Sequence, residues 1–399
     1  MSTAAHSATS RTLTLAQRRR AMLEQRGLLA SRRVNENPPT KTYFMIFFTV
    51  VTLIAVGLVM VMSSSSIVAL NRGASPFAMF QKQFFWACFG GVGMVFLLKF
   101  PYPLLRRWVF PLLLSGYVLM LLPFAPGIGT SNNGARAWVE FGPVGFQPSE
   151  FMKLALLVYC ANLLGRRQKE VADFSRTIMP IGIAWLVAVV LCLAQRDLGG
   201  AIVMTCIVLS LMFMSGIPMR IISLVAGLST FMAMFMTLST SARRNRWTAF
   251  LNLDETKGSF GYQVWQSILS ISNGGLSGVG VGQGTGKWGY VPLAHSDFIF
   301  STIAEELGLA GVAIVIGGFM LLVICGLRVA MGAQEKFGAL LASGVASWFA
   351  IQAIINIGGV SGSMPVTGLT LPLISYGGSS LTICMCAAGL LLNVARNMK

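Results

Sequence analysis

Ionisable groups are scarce in this chain. Of 399 residues only 11% are charged, 13 are acidic and two are histidines. A soluble domain carries about 25% charged residues, so an ordinary water-soluble fold is excluded. Paired cysteines are lacking too. The seven cysteines, at 88, 160, 192, 206, 325, 384 and 386, lie in or beside apolar stretches without zinc-site spacing. They read as small hydrophobes, which excludes a disulfide or zinc scaffold. No internal repeat is present. Short segments of period-two alternation are missing as well, which excludes an outer-membrane barrel. The formal net charge of +17 is carried by no folded basic domain, so no nucleic-acid partner is expected.

What the chain does have is long apolar runs, and 55% of it is hydrophobic. "YFMIFFTVVTLIAVGLVMVM", from Tyr43 to Met62, is one of them. As a helix it rises about 30 Å, the thickness of the hydrocarbon core of a bilayer. Ten such segments are predicted: 43–62, 84–98, 109–124, 151–164, 178–194, 200–216, 221–238, 298–324, 338–357 and 380–395. The second and fourth are short and must borrow residues from their flanks. The eighth is long enough to tilt or project. The fold class is therefore an all-α integral membrane protein with about ten transmembrane helices.

Residues 1–42 form a basic tail of disordered composition with a Pro pair at 38–39, and residues 43–399 form the polytopic domain. The tail's arginine clusters suit contact with anionic lipid. The first apolar segment follows this tail and has no small-x-small cleavage site, so it reads as a retained helix. With the N-terminus in the cytoplasm, most of the 30 lysines and arginines fall on the cytoplasmic side. The positive-inside rule then puts both termini there.

Two outer loops are long, 125–150 and 239–297, and loops of that length are usually functional. In the second, "GYQVWQSILSIS" places Val264, Trp265, Ile268 and Leu269 at helical spacing. That pattern suits a helix lying in the membrane interface, and equally one packed on the ends of the bundle. The glycine-rich run after it contains G-x-G-x-x-G at 284–289. No strand precedes it, so a dinucleotide site is rejected. A hinge that lets backbone approach a ligand and a plain connector both remain open.

Several of the few acids stand at the outer ends of helices: Glu150, Asp197, Asp297, Glu305 and Glu306. A carboxylate near hydrocarbon costs at least about 2.5 kcal/mol and marks a functional candidate. The plain alternatives are a helix cap for Asp297 and ion pairs for the two glutamates. "KWGYVPLAHSDFIF" groups Lys287, His295 and Asp297 ahead of an apolar segment, on the same side as Arg136, Lys153, Arg243, Arg244 and Arg246. A carboxylate beside fixed cations suits acid–base chemistry on an anionic lipid-linked substrate. It would also suit a transporter.

Three stretches are similar to the SEDS family (shape, elongation, division and sporulation) of peptidoglycan glycosyltransferases. They are "NGARAWVEFGPVGFQPSEFMKL", "GYQVWQSILSISNGGLSGVGVGQGTGKWGYVPLAHSDFIFSTIAEELG" and "PVTGLTLPLISYGGSSL". The wording of the last resembles the division branch more than the elongation branch. The chain departs from the family pattern at Leu293, where an acid is usual, at Arg196, where a proline is usual, and at Ala137, where an arginine is usual. The resemblance implies an inverting glycosyltransferase that polymerises lipid II on the outer face of the bacterial cytoplasmic membrane, at the division septum. It implies Asp297 as the essential base, and Arg136, Lys153 and Lys287, then Arg243, Arg244 and Arg246, as cations for the pyrophosphate. Trp138 shapes the groove, His295 orients Asp297 or binds substrate, and Glu150 joins the substrate-binding set. A divalent cation, magnesium or manganese, could assist, though no pattern declares a metal site. The implied partners are a class B penicillin-binding protein, the cross-linking transpeptidase, and other division proteins. The alternative readings are a lipid II translocator with a polar path through the bundle, in which Asp197 and Glu305 are the deeper acids, the elongation-type polymerase of the same family, and a non-catalytic scaffold of the division machinery.

Overall fold

The computed structural model describes residues 39–398 except 72, 133, 134 and 143. The predicted disordered tail thus lies almost wholly outside the described residues. Every one of the ten apolar segments is a helix. In chain order these are α1 (Lys41–Asn71), α2 (Ala78–Lys99), α3 (Leu105–Leu121), α4 (Pro148–Arg166), α5 (Met179–Ala194), α6 (Leu198–Met214) and α7 (Met219–Leu238). Two loop helices follow, α8 (Ser241–Leu251) and α9 (Tyr262–Gly274). The last three are α10 (Ile299–Gly332), α11 (Lys336–Val360) and α12 (Gly378–Arg396). Among the described residues, 7 helices are long and apolar enough to cross a membrane: α1, α3, α5, α7, α10, α11 and α12, with α3 and α5 counted together with their flanking turns. In α2 and α4 the apolar character is diluted near the N-terminus by Gln81, Lys82 and Gln83 and by Glu150 and Lys153. Among the described residues α6 is the one shorter apolar helix.

Both short segments do recruit their flanks, starting at Ala78 and Pro148. α1 runs further than its apolar run, through "SSSS" to Asn71. Its hydroxyls fold back on the helix, Ser64 Oγ donating to Met60 O at 2.7 Å and Ser66 Oγ to Ser63 O at 3.0 Å. Serine so engaged leaves the helix intact in an apolar setting. α12 and α11 form the interior, 89% and 67% of their most apolar windows being buried, whereas α7 buries 11%.

A small sheet was not anticipated. β1 (Gly129–Asn132), β2 (Ala135–Phe141) and β3 (Val144–Phe146) form an antiparallel meander in the first long loop. β2 alternates as a half-buried strand should: Ala137 and Val139 face inward, while Arg136 and Glu140 are exposed. Ala137, one of the departures from the resembled pattern, is buried.

The second long loop is ordered. α9 packs on the bundle through its small residues Ser267, Ser270 and Gly274, and Ser267 Oγ donates to Val360 O at 2.8 Å. The helix is thus packed on the bundle, as one of the two readings expected. Its hydrophobic side remains partly outward, with Leu269 exposed. The glycine-rich run is bonded to the first turns of α10. Val279 N and Gly280 N donate to the carbonyls of Glu305 and Glu306, and α10 breaks just beyond, at Gly308 (φ 61, ψ −152). A Cβ on Gly308 would lie 2.3 Å from Gly278 N. The positive φ and this close approach both demand glycine. Gly308→Ala is expected to destabilise the protein by at least about 2 kcal/mol, seen as a lowered thermal midpoint in detergent.

Candidate active site

Asp297 is held at the crossing of three segments. The first is the turn that carries it. Leu293 takes a left-handed φ of 57. Its carbonyl accepts from Ser296 N at 3.0 Å and Phe298 N at 3.3 Å, which turns the chain into α10. The second is the irregular stretch 365–377, laid across that turn. Tyr376 N donates to His295 O at 3.0 Å and Ser375 Oγ donates to Ser296 O at 2.7 Å. Gln83 of α2 holds the far side of the stretch, donating to Ser375 O at 3.0 Å and accepting from Gly377 N at 3.2 Å. The third is α11, whose Asn356 Nδ2 donates to Asp297 O at 2.8 Å and to Leu369 O at 2.6 Å.

These segments form a narrow cleft lined by Asp297, Asn356, Val360, Val366, Thr367 and Gly368, among others. Gly368 brings bare backbone to the carboxylate, since a Cβ there would stand 3.7 Å from Asp297 Oδ2. A second small pocket adjoins it across Val366 and is apolar apart from Arg246. Arg246 Nη1 reaches Val366 O at 3.5 Å, so a cation stands at the boundary of the two spaces. Burial pushes the Asp297 carboxyl up to about 6, against the opposing pull of Arg246 and of a hydrogen bond from Ser296. Desolvation wins because the charged form loses water that one partly exposed guanidinium cannot replace.

The other predicted site residues divide between the two long loops and the interior of the bundle. Arg243 and Arg246 share α8 with Arg244. Arg243 donates to Met236 O and Arg196 O, each at 3.2 Å, and burial together with Arg246 lowers its own pKa. Arg244 is exposed. Arg136 and Trp138 project from the same side of β2, Trp138 half-buried, and the strand is tied to the turn before α6 by Arg136 N donating to Gln195 O at 2.9 Å. In that turn Arg196 has φ 64, an angle that proline cannot adopt.

A second group is internal. Lys153 is 0% exposed, 2.7 Å from Glu150 and 3.1 Å from Gln352 Oε1, with its ammonium over the Trp348 ring. Gln352 in turn donates to Thr370 O at 2.9 Å. Lys153 and Glu150 thus reach the irregular stretch through Gln352 rather than forming an open anion site.

Lys287 requires a correction of the same kind. It is 3% exposed and bonded to Glu306 at 2.8 Å and to Ser63 Oγ at 3.0 Å. The ammonium is an internal counter-ion and not an open cation for pyrophosphate. Glu305 accepts from Thr285 N and Oγ1 and from Gly286 N, and Glu306 from Ser63 Oγ and Gly282 N. The two glutamates strap the glycine-rich run onto α10. His295 is buried edge-on against Tyr376, ring centres 5.6 Å apart.

Sequence reasoning missed Gln83, Gln352 and Asn356. The available signal was the polar stripe Trp348–Gln352–Asn356, spaced i, i+4, i+8 on one face of an apolar helix. No three His, Cys, Asp or Glu side chains converge among the described residues to cage a metal. The residues at Asp297 therefore do not by themselves fit a resident divalent cation.

Residues 43–399 match the family described as cell cycle protein, that of FtsW, RodA and SpoVE. The chain belongs to the SEDS family. A probable peptidoglycan glycosyltransferase FtsW of Geobacter metallireducens is 39% identical over 355 residues, 89% of this chain and 95% of that relative. The stage V sporulation protein E of Bacillus subtilis is 39% identical over 347 residues, 86% and 94% of the two chains. Among solved SEDS structures, Thermus thermophilus RodA superposes with a TM-score of 0.63 at 29% identity, covering 88% of this chain and 96% of that one. A chain of a peptidoglycan synthase complex, described as coordinating polymerisation and crosslinking, gives a TM-score of 0.69 at 30% identity, with 88% and 96% coverage. In this SEDS chain, Lys287→Met strands a buried carboxylate and is expected to cost about 3–5 kcal/mol. The double variant Lys287→Met/Glu306→Gln should recover part of that loss. Thermal unfolding of the two single variants and the double variant would measure the coupling.

Proposed function

We propose that this membrane protein is the peptidoglycan glycosyltransferase of cell division, polymerising lipid II into glycan strands. The observation that carries the assignment to a particular group is Asp297, a half-buried carboxylate whose pKa near 6 suits a base working around neutral pH. The acceptor sugar's hydroxyl loses its proton to Asp297 as its oxygen attacks the anomeric carbon of the donor. The bond from that carbon to the lipid pyrophosphate breaks, and the pyrophosphate leaves with the electron pair. A single displacement inverts the configuration and needs one base. Arg246, at the edge of the cleft, is placed to meet the negative charge gathering on the leaving group, with Arg243 and Arg244 on the same helix. The apolar pocket beside Arg246 suits the first isoprene units of the lipid.

Both termini lie in the cytoplasm in this reading, which places Asp297 on the outer face. A class B penicillin-binding protein is the partner proposed to cross-link the product, at the division septum. The translocator reading loses its support. Asp197 caps α6 through Gly200 N at 2.8 Å and accepts from Ser149 and Gln147. Glu305 is taken up by the strap. Neither acid is free to line a path.

Purified protein supplied with lipid II and the cognate transpeptidase should make long glycan strands, and Asp297→Asn should make none while folding normally. Strands from the variant would remove Asp297 as base; none from the wild type would sink the polymerase reading. The initial rate should rise with pH through a midpoint near 6, as Asp297 loses its proton. Arg246→Ala removes a charge that favours the carboxylate, so its midpoint should move to higher pH. A midpoint that stays put or falls would contradict the placement of Arg246.

A further inference from the structure

We infer that Asn356 is a positioning residue that fixes Asp297 relative to the opposite wall of its cleft. The inference rests on the reading of Asp297 as the base. Asn356 is 4% exposed, and both bonds of its amide nitrogen go to carbonyls on facing segments. One is Asp297's own carbonyl; the other is that of Leu369, next to the Gly368 backbone that faces the carboxylate. Beside the ties that Ser375 and Tyr376 make to the turn before it, this side chain links the backbone of the base itself to the wall it works against.

Two further observations show that this geometry is specific. With the amide so turned, Asn356 Oδ1 is buried without a hydrogen-bond partner. An unmet acceptor costs about 1–3 kcal/mol, so the two carbonyl bonds hold an orientation that the oxygen alone would disfavour. One turn earlier on the same face, Gln352 donates to Thr370 O at 2.9 Å, with its own oxygen held by Trp348 Nε1 at 2.7 Å and Lys153 at 3.1 Å. The amide before Asn356 thus anchors the neighbouring carbonyl of the same stretch. Only Asn356 also reaches the Asp297 segment. Gln352 secures the wall, and Asn356 sets the gap. Base and reacting atoms must meet within a few tenths of an ångström, and misplacement by about 1 Å costs on the order of a hundredfold in rate.

The test compares wild type with Asn356→Ala and Asn356→Ser, the serine keeping one donor in a smaller side chain. Hydrogen exchange of the purified protein in detergent, without substrate, is read by mass spectrometry. Faster exchange confined to 294–298 and 367–371, with the other helices unchanged, is expected. In glycan polymerisation, kcat should fall about tenfold to a hundredfold with KM within twofold of wild type. The acid limb of the rate profile should also move to lower pH, as the loosened cleft admits water to Asp297. Arg246 is the charged group that the structure sets against that carboxylate. Unchanged exchange in both segments, a uniform rise along every helix, or kcat within twofold of wild type in a folded variant would overturn the inference. If one variant fails to fold, the other decides by the same readings. Exchange needs no activity, so a wild type without glycan synthesis would count against the proposed function while the positioning role is still decided.

Discussion

Backbone that is neither helix nor sheet needs hydrogen-bond partners wherever water is kept away, and here helix side chains supply them. Irregular segments at membrane depth survive only on those terms. Gln83 holds 375–377, Gln352 and Asn356 hold 369–370, and Glu305 and Glu306 hold 282–286. Asp197 performs the same service for the first turn of α6, and Asn393 for the last carbonyls of α2, at Leu97 and Phe100. The scarce polar residues of the helices are thus mostly fasteners. They let a bundle built for lipid carry loops precise enough for chemistry.

Asp297 differs from the other acids in what surrounds it. Glu305, Glu306 and Asp197 each collect several donors that fix the carboxylate in place. Asp297 is held through its backbone carbonyl, leaving its carboxylate with a neighbouring serine and a guanidinium at the rim. Position is therefore set through the backbone and ionisation through the surroundings of the carboxylate, and the two are linked because position governs burial. Asn356 acts on the main chain, whereas burial and Arg246 act on the charge.

The helices were legible because hydropathy declares a span without reference to its neighbours. The extension of α1 through Ser63–Ser66 was not, since serine reads as a terminator until its hydroxyls are seen bonding back to their own helix. The sheet at 129–146 escaped because its strands are short and broken by turn residues. Lys287 was read as an open cation because its partners are remote in sequence: Glu306 lies nineteen residues on, and Ser63 is in another helix. Asp297 stood out as an acid before an apolar run. Asn356 did not, because an amide within an apolar helix carries no signal of its own until its acceptors are located. Arg196 and Leu293 looked like losses from a motif. Both are left-handed turn residues, so their backbone conformation matters as much as their side chains.

The strap on α10 also bears on the order of biosynthesis. Every partner of Glu305 and Glu306, from Ser63 to Lys287, precedes them in the chain. When α10 emerges from the ribosome, the groups that neutralise its two carboxylates have already been made. The helix can leave the translocon with its acids satisfied, without waiting for any later segment. Gln83, Gln352 and Asn356 are in the opposite position, because their acceptors at 369–377 are synthesised after them. The strap can therefore close during synthesis, while the cleft around Asp297 can close only after residue 377 has been made. A nascent chain would then acquire an ordered glycine-rich run well before the cleft around Asp297 is complete.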